Sequence, residues 1–253
     1  MRENLTRSTA TRIFARVSRS KLVVITGATS GIGAAIGRAF AASGARVFLI
    51  GRNAQKLARA ARGIPRGRLA GTALADLGSV SELRQLLAVL QQLRSVDVLV
   101  HSAGEYSWTE AGSLETDGFE LLFNVNVRAP YLLSQGVMPL LARAKGQIIF
   151  LNSSVVRSPG QGVAAYKATQ HALQGLVDSL RQDFNKRGVR FTSLFPGRVA
   201  TPRMRRIYAR NKQAYRPGLL LSAADVAKLV VAVSELPPRL EVTDVQLRSL
   251  TPY

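Results

Sequence analysis

The clearest chemical pattern in the chain is a glycine-rich loop, Thr26 to Gly33, with the sequence TGATSGIG. It follows a short apolar run and precedes a stretch with helical composition, and a second apolar run begins near Ala45. Gly27 allows a tight turn, Gly31 lets backbone approach a pyrophosphate, and Gly33 allows a helix to pack closely on a strand. The helix N-terminus adds N–H groups and the positive end of its dipole. We therefore predict a dinucleotide site formed by Gly27, Thr29, Ser30, Gly31, Ile32 and Gly33.

The end of the second apolar run indicates which dinucleotide binds. Residues 49–53 there read LIGRN. An NAD site usually carries an acid at this point, which binds the ribose 2′-hydroxyl. This stretch has no acid, whereas Gly51 leaves room and the Arg52 guanidinium suits a 2′-phosphate. We therefore expect NADP rather than NAD, with a plain surface role for Arg52 as the alternative.

Short β-branched runs alternate with longer amphipathic stretches, which predicts alternating strands and helices. Runs that are apolar on both faces indicate a parallel sheet covered by helices on each side. Ser79 and Ser222 have the spacing to Glu82 and Asp225 that is typical of helix starts. We predict a single doubly wound α/β domain over residues 21–253, mostly parallel, that binds its ligand at the carboxyl ends of the strands. The seven predicted strands are 22–25, 45–50, 68–74, 96–100, 147–151, 189–194 and 241–247.

Several further motifs follow the glycine loop in an order that resembles the short-chain dehydrogenase/reductase family, in its Rossmann-type single-domain form. The resemblance runs from about Lys21 to Val245, and Thr26 to Gly33 matches the family pattern TGxxxGxG. The other matching motifs are Asp76-Leu77, His101-Ser102-Ala103-Gly104, Asn124-Val125-Asn126-Val127, Asn152-Ser153-Ser154, Tyr166, and Pro196-Gly197 with Thr201. The further cofactor contacts that the resemblance implies are Asp76, Leu77, Ala103, Gly104, Pro196, Gly197, Val199 and Thr201.

The resemblance also implies a reaction. In the family, a hydride moves from nicotinamide C4 to a carbonyl carbon, while a tyrosine donates a proton to the carbonyl oxygen and a serine hydrogen-bonds it. Tyr166 matches the tyrosine, and Asn126 matches the helix asparagine of the catalytic set. Ser154 is preferred as the serine for its spacing to Tyr166, with Ser153 as the alternative. We expect an NADP(H)-dependent reductase or dehydrogenase of a small carbonyl or alcohol.

One position at this site departs from the family. Gln170 stands where the family carries a lysine, which lowers the tyrosine pKa and holds the cofactor ribose. A cation within ~4–6 Å typically lowers the pKa of an acid by ~1–3 units. Its loss therefore weakens phenolate stabilisation by roughly 1.4–4 kcal/mol and slows the step by ~10- to ~1000-fold, although an amide can still bind ribose. Arg157 and Arg198 are candidate replacement cations, whereas Lys167 is expected to point away from Tyr166.

The composition limits other kinds of site. The chain has no cysteine, which excludes disulfides, thiolate metal sites and a cysteine nucleophile. His101 and His171 are its only histidines, so we predict no histidine metal cluster. His101 replaces a family asparagine, and we expect it to be structural. The longest apolar runs are too short for a membrane span.

The net charge of +20 indicates an affinity for anions. Acids are absent between Glu3 and Asp76, and a second basic run extends from Arg198 to Arg216. A solvated, arginine-rich surface accounts for this charge, and an anionic or phosphopantetheine-linked substrate is the alternative. Aromatic residues make up 6% of the chain and do not interleave with the basic runs, so nucleic-acid binding is not expected.

Residues 1–20 are rich in Arg, Ser and Thr and lack a strand pattern, which predicts a basic, flexible arm on a cytoplasmic protein, or a transit peptide. The resemblance implies a homodimer or homotetramer that pairs through the helices carrying Asn126 and Tyr166. Two other functions stay open. One is a cofactor-binding protein without redox turnover, and the other is a non-redox reaction, such as dehydration, with Tyr166 as the acid.

Overall fold

A sheet of parallel strands forms the centre of the fold in this computed structural model, which describes residues 20–108, 115–158 and 162–250. Within those residues the sheet has seven strands in the order β3-β2-β1-β4-β5-β6-β7, and every neighbouring pair is parallel. The strands are β1 Leu22–Thr26, β2 Arg46–Gly51, β3 Leu69–Leu74, β4 Val98–His101, β5 Gln147–Leu151, β6 Arg190–Pro196 and β7 Asp244–Leu247. The predicted arm lies outside the described residues, except for residue 20.

Helices cover both faces of the sheet, which confirms the predicted doubly wound α/β domain. They are α1 Gly31–Ala42, α2 Ala54–Arg62, α3 Val80–Gln91, α4 Thr116–Phe123, α5 Ala129–Ala144, α6 Ala164–Phe184, α7 Pro202–Arg210 and α8 Ala223–Glu235. A π-helical turn, Asn124–Arg128, joins α4 to α5. In the part of the chain described here, no helix combines the length and the apolar character that crossing a membrane requires.

The two hydrophobic cores lie on opposite faces of the sheet because successive residues of a strand point in opposite directions. Val24 belongs to the core covered by α3, α5 and α6. Its neighbours Val23 and Ile25 belong to the core covered by α1, α2 and α8. All three side chains are fully buried. At about 1.5–3 kcal/mol for each buried aliphatic side chain, this two-sided burial fixes the register of the central strands.

Both predicted helix caps are present. The Ser79 hydroxyl accepts from the Glu82 N–H at the start of α3, and the Ser222 hydroxyl accepts from the Asp225 N–H at the start of α8. The Glu82 carboxylate accepts from the Asp76 N–H at 2.8 Å. This contact ties the first turn of α3 to the segment that leaves β3, and so fixes Asp76 at the carboxyl edge of the sheet.

The last predicted strand is shorter than the pattern indicated, because side chains replace part of its backbone ladder. Strand β7 begins at Asp244 rather than at residue 241. The Glu241 carboxylate accepts from the Phe191 N–H at 2.7 Å, and the Thr192 hydroxyl donates to the Val242 carbonyl at 2.6 Å. Residues 241 and 242 therefore follow β6 through side-chain hydrogen bonds, and backbone pairing begins where the Ser193 N–H donates to the Thr243 carbonyl at 2.8 Å.

His101, at the end of β4, is a structural residue, as predicted. It is buried, its Nε2 lies 2.9 Å from the Ser134 hydroxyl, and its ring stacks on Phe150 at 4.8 Å. Burial lowers its pKa from 6.5 to about 3. The folded protein therefore keeps this imidazole neutral at any pH in the physiological range.

This neutral histidine predicts an acid-dependent loss of stability. Because the folded pKa lies below the unfolded pKa, the full stability is present above about pH 6.5 and falls as the pH decreases towards about 3. We expect the free energy of unfolding to fall by about 2 kcal/mol more in wild type than in His101→Gln between pH 7 and pH 5. Urea denaturation at both pH values measures this difference, and equal losses in the two proteins would contradict it.

The order of the strands opens a crevice at the carboxyl edge of the sheet. After β3 the chain returns to place β4 on the other side of β1, so the connections from β1 and β4 leave in opposite directions. Doubly wound sheets bind their ligands at such a point. The residues that follow β1, β2, β4, β5 and β6 all meet at this edge.

Candidate active site

The glycine loop after β1 has the geometry that its sequence indicates. Gly27 and Gly31 have φ values of +66° and +55°, a region that favours glycine. A Cβ at Gly27 would lie 2.7 Å from the Ala103 backbone, and one at Gly33 would lie 2.3 Å from the Gly27 carbonyl oxygen. These contacts leave room for backbone alone where the loop, the helix and the segment after β4 meet.

The N-terminus of α1 is suited to an anion. Ser30, its N-cap residue, makes no side-chain hydrogen bond to the described helix, and the first turn consists of uncharged residues. The N–H groups of this turn have no partner within the helix itself, and the helix dipole favours negative charge there. The loop therefore fits the pyrophosphate of a dinucleotide, with Thr29 and Ile32 on either side of the turn.

Gly51, at the end of β2, packs against the glycine loop. A Cβ at Gly51 would lie 2.2 Å from the Thr29 Cγ2 atom, so the packing of Thr29 leaves no space for a side chain at position 51. The next residue, Arg52, is exposed and reaches across the crevice. Its Nη1 lies 3.1 Å from Oε2 of Glu105. A guanidinium therefore stands at the end of β2 as predicted, paired with a carboxylate from the segment after β4.

The segment after β4 is held against the glycine loop. The Thr26 hydroxyl oxygen accepts from the N–H groups of Ser102 and Ala103, each at 3.1 Å. Gly104 follows, and a Cβ placed on it would lie 3.4 Å from Oδ1 of Asn126. Ala103 and Gly104 thus form the wall of the crevice that connects the phosphate loop to the helices beyond it.

Asn126 lies in the π-helical turn and is buried. Its Oδ1 accepts from the Glu105 N–H at 2.8 Å. Its Nδ2 donates to the Glu105 carbonyl at 2.9 Å and to the Thr169 hydroxyl at 3.0 Å. The amide therefore fixes the β4 segment against α6, one turn from Tyr166. π-Helical turns often occur at functional sites.

Ser153, rather than Ser154, is the serine beside Tyr166. The Ser153 side chain hydrogen-bonds the Tyr166 hydroxyl. Ser153 is the extended N-cap of a short 3₁₀ turn, Ser154–Arg157, and its hydroxyl also accepts from the Val155 N–H. The structure thus favours Ser153, the alternative serine, over Ser154 as the partner of the tyrosine.

Tyr166 is set up to hold its proton at neutral pH. Burial raises its pKa above 10, while the Ser153 hydrogen bond and the charge of Arg203 act in the opposite direction. The ring of Tyr106 packs edge-on against it, with 5.0 Å between the ring centroids. Burial is the largest of these effects, so the hydroxyl can serve as a proton donor.

Gln170 is buried near the same tyrosine. Its Nε2 lies 3.4 Å from the Thr169 hydroxyl, and its backbone carbonyl accepts from Nδ2 of Asn152 at 3.1 Å. The Thr169 hydroxyl in turn donates to the Tyr166 carbonyl. The position where the resemblance implies a lysine is thus filled by a neutral amide in a hydrogen-bonded cluster.

The replacement cations that the sequence suggested are engaged elsewhere. The Lys167 ammonium donates to the Ser158 carbonyl at 2.9 Å, in line with its expected direction. Arg157 pairs with Asp244 at 3.2 Å, and Arg198 donates to the Tyr208 hydroxyl at 3.0 Å.

Sequence reasoning missed Arg203 as a neighbour of the tyrosine. Its Nη2 donates to the Gly104 carbonyl, and its charge lowers the pKa of Tyr166. The run of arginines in α7 marked a basic surface, but its composition did not indicate which guanidinium faces the site.

The remaining predicted cofactor residues lie along the edge of the crevice. Asp76 Oδ1 accepts from the Gly78 N–H at 2.9 Å, and Leu77 is buried beside it. Pro196 ends β6, and the Gly197 N–H donates to the Leu247 carbonyl at 2.8 Å.

The segment after β6 brings α7 to the glycine loop. Val199 pairs with Leu221 in an isolated parallel bridge. The Thr201 hydroxyl caps α7 by accepting from the Met204 N–H, and its Cγ2 lies 3.2 Å from where a Cβ on Gly31 would be. Across the ranges that the structure describes, no group of three acidic or histidine side chains could hold a metal ion.

Comparison with known proteins agrees with this geometry. The family profile described as short chain dehydrogenase matches residues 21–212. An uncharacterized oxidoreductase of Staphylococcus epidermidis is 30% identical over 233 residues, which cover 91% of this chain and 97% of that protein. An uncharacterized oxidoreductase of Staphylococcus aureus is 28% identical over 236 residues, which cover 92% and 98%.

Solved structures show the same fold with a nucleotide bound. An alcohol dehydrogenase from the archaeon Thermococcus sibiricus, complexed with 5-hydroxy-NADP, superposes with a TM-score of 0.82 at 25% identity, covering 93% of this chain and 99% of that one. A metagenomic short-chain oxidoreductase in complex with NADP gives a TM-score of 0.77 at 27% identity, covering 92% and 98%.

Proposed function

Because the chain belongs to the short-chain dehydrogenase/reductase family, we propose that it is an NADP(H)-dependent oxidoreductase that interconverts a small carbonyl compound and its alcohol. The observation that carries this proposal is the hydrogen bond between Ser153 and Tyr166 at the carboxyl edge of the sheet. It places two hydroxyl groups side by side, in the crevice that begins at the glycine loop. One can hold a carbonyl oxygen while the other gives it a proton.

The proposed proton transfer uses this chain's own groups. NADPH, when bound, supplies the hydride. The Ser153 hydroxyl donates a hydrogen bond to the carbonyl oxygen, which favours negative charge there as the carbon accepts the hydride. The Tyr166 hydroxyl gives its proton to that oxygen, so the product is a neutral alcohol and Tyr166 is left as a phenolate. Asn126 holds the β4 segment and α6 in register, and water returns a proton to Tyr166.

Recognition of the 2′-phosphate is assigned to Arg52. Its support is the exposed guanidinium at the end of β2, where an NAD site would present an acid. In the structure, the carboxylate of Glu105 forms an ion pair with that guanidinium. An exposed ion pair contributes only about 0–1 kcal/mol, so a phosphate carrying about −2 charge can compete for Arg52.

Arg52→Gln is expected to weaken NADPH binding by roughly 10- to 100-fold, because it removes hydrogen bonds to a charged group worth about 1.5–3 kcal/mol. NADH binding should not change. Fluorescence titration with both nucleotides measures the two affinities, with Arg59→Gln, on the exposed side of α2, as the matched control. An equal loss for NADH and NADPH would place Arg52 outside the 2′-phosphate site.

The direct test of the proposed function is NADPH oxidation by the full chain with a panel of ketones and aldehydes, after binding of NADPH has been measured. Turnover with at least one carbonyl compound is the expected result. Failure to bind either nucleotide would overturn the proposal.

A second function is favoured by one observation, the neutral amide of Gln170 in the cluster below the tyrosine. A cofactor-binding protein without redox turnover would need the fold and the crevice but not a stabilised phenolate. NADPH binding with no oxidation of any carbonyl, even in Gln170→Lys, would select this function over the first.

We also propose self-association into a homodimer or homotetramer. The support is a set of exposed hydrophobic side chains on α4 and α5, which are Phe119, Leu121 and Tyr131. An open apolar hollow of about 300 Å³ lies beside them, between the π-helical turn and α6. A second copy of the chain would cover this surface.

A further inference from the structure

Helix α7 brings a positive charge to the wall of the crevice formed by the segment after β4. Thr201 caps the helix beside Gly31, and Arg203 follows in its first turn. The Arg203 guanidinium donates to the carbonyl of Gly104, which lies 99 residues earlier in the chain. Gly104 in turn lies against the amide of Asn126. The guanidinium is therefore held at the wall of the crevice, at a carbonyl two residues along the chain from Tyr106, whose ring packs on Tyr166.

Helix α6 and the segment after β4 place polar groups around Tyr166. On α6, Lys167 is directed to the Ser158 carbonyl and Gln170 is neutral. On the segment after β4, Tyr106 packs on Tyr166, and the nearby carboxylate, Glu105, is paired with Arg52.

Helix α7 and the turn before it contribute the remaining charges. Arg210 stacks over Trp108 at 5.5 Å and Arg198 lies on Tyr208, and both act electrostatically on Tyr106, as Arg203 also does. Among the residues that the structure describes, Arg203 is the cation whose charge lowers the pKa of Tyr166.

We propose that Arg203 is a positioning residue of the reaction that supplies, from α7, the positive charge at Tyr166 that Gln170 on α6 does not supply. This inference rests on the proposed function for its role in turnover, but the charge effect itself does not require turnover. A guanidinium stays protonated at every working pH, so Arg203 donates no proton. The proton that the carbonyl oxygen gains comes from Tyr166, and the guanidinium stabilises the phenolate that remains.

The exposure of Arg203 gives this charge a property that a buried lysine would lack. Its side chain is exposed to solvent, whereas position 170 is buried. Salt screens exposed charges over roughly 10 Å at 0.1 M ionic strength, and screens buried ones much less. The stabilisation of the phenolate should therefore weaken as the salt concentration rises.

The first experiment titrates Tyr166 by the ultraviolet absorbance of its phenolate in the cofactor-free chain, with Tyr166→Phe subtracted as the blank. Arg203→Gln is expected to raise the pKa of Tyr166, whereas Arg203→Lys should leave it nearly unchanged. The matched control is Arg206→Gln, an exposed arginine on the same helix, which should titrate as wild type. A Tyr166 titration in Arg203→Gln equal to that of wild type would overturn the proposal. This titration tests the effect of Arg203 on Tyr166 even if the chain turns over no carbonyl compound.

The second experiment follows turnover. We expect Arg203→Gln to lower kcat/KM by roughly 10-fold, with an alkaline shift of its pH profile, and Gln170→Lys to restore it in the double variant. A rise in KM alone, with kcat and the pH profile unchanged, would assign Arg203 to substrate binding and overturn the proposal. If wild type shows no turnover but the phenolate titration gives the expected result, the proposed function is refuted. The effect of the Arg203 charge on Tyr166 is then still supported.

Discussion

Replacing Tyr166 by phenylalanine is expected to lower kcat/KM for carbonyl reduction by about 100- to 10,000-fold, while NADPH binding is retained. The substitution removes the proton donor and keeps the ring that packs against Tyr106. Without the donor, the carbonyl oxygen must take its proton from water as the hydride arrives. Ser153 can still hydrogen-bond the oxygen, so a residual rate should remain.

The matched control is Tyr106→Phe, which removes the hydroxyl of the neighbouring tyrosine in the same edge-on ring pair. It should retain most of the activity. Steady-state kinetics with the best carbonyl substrate, together with NADPH titrations, separates the chemical step from binding. Similar activity of wild type and Tyr166→Phe would remove Tyr166 from the reaction, and equal losses in both variants would point to packing of the pair instead.

The second large expected effect is an increase in activity on replacing Gln170. Gln170→Lys should raise kcat/KM by ~10- to ~1000-fold, since a cation within ~4–6 Å of the Tyr166 hydroxyl stabilises the phenolate by roughly 1.4–4 kcal/mol. If Arg203 already supplies part of that charge, the gain should lie near the lower end of this range. It should also be larger when Arg203 is absent, because the two charges act on the same group.

Position 170 is buried, so the variant also places a charge among Thr169, Asn126 and Asn152. Gln170→Met, which is of similar size and uncharged, separates the effect of charge from that of shape. Thermal denaturation of both variants measures the cost of the substitution to the fold. A folded Gln170→Lys protein with unchanged kcat/KM and an unchanged pH profile would show that a cation at this position does not reach the tyrosine.

Local pattern was enough to predict the fold. The central strands are buried on both faces, and burial of that kind leaves apolar runs that can be read directly from the sequence. The caps Ser79 and Ser222 depend on residues two or three positions away, and the positive φ of Gly27 follows from a turn of a few residues. Interactions between residues so close in sequence can be predicted from the local sequence alone. The start of β7 could not be predicted in the same way, since Glu241 bonds a residue 50 positions away.

The site itself depended on contacts between distant segments. Ser153 and Ser154 are adjacent and chemically alike, and only the backbone at the start of the 3₁₀ turn decides which hydroxyl faces Tyr166. Position 51 accepts only glycine because the glycine loop brings the Thr29 methyl group against it.

The sequence by itself therefore determined the doubly wound sheet and the glycine loop, and it places Gln170 where the resemblance implies a lysine. The tertiary structure decided which serine meets Tyr166, and that Glu105 and Arg52 form a pair. It also decided that Arg203 hydrogen-bonds Gly104, a residue 99 positions earlier in the chain. The physical reason is that a side chain's direction and its electrostatic neighbours are set by how separate elements pack, and packing is a property of the folded chain rather than of any one segment.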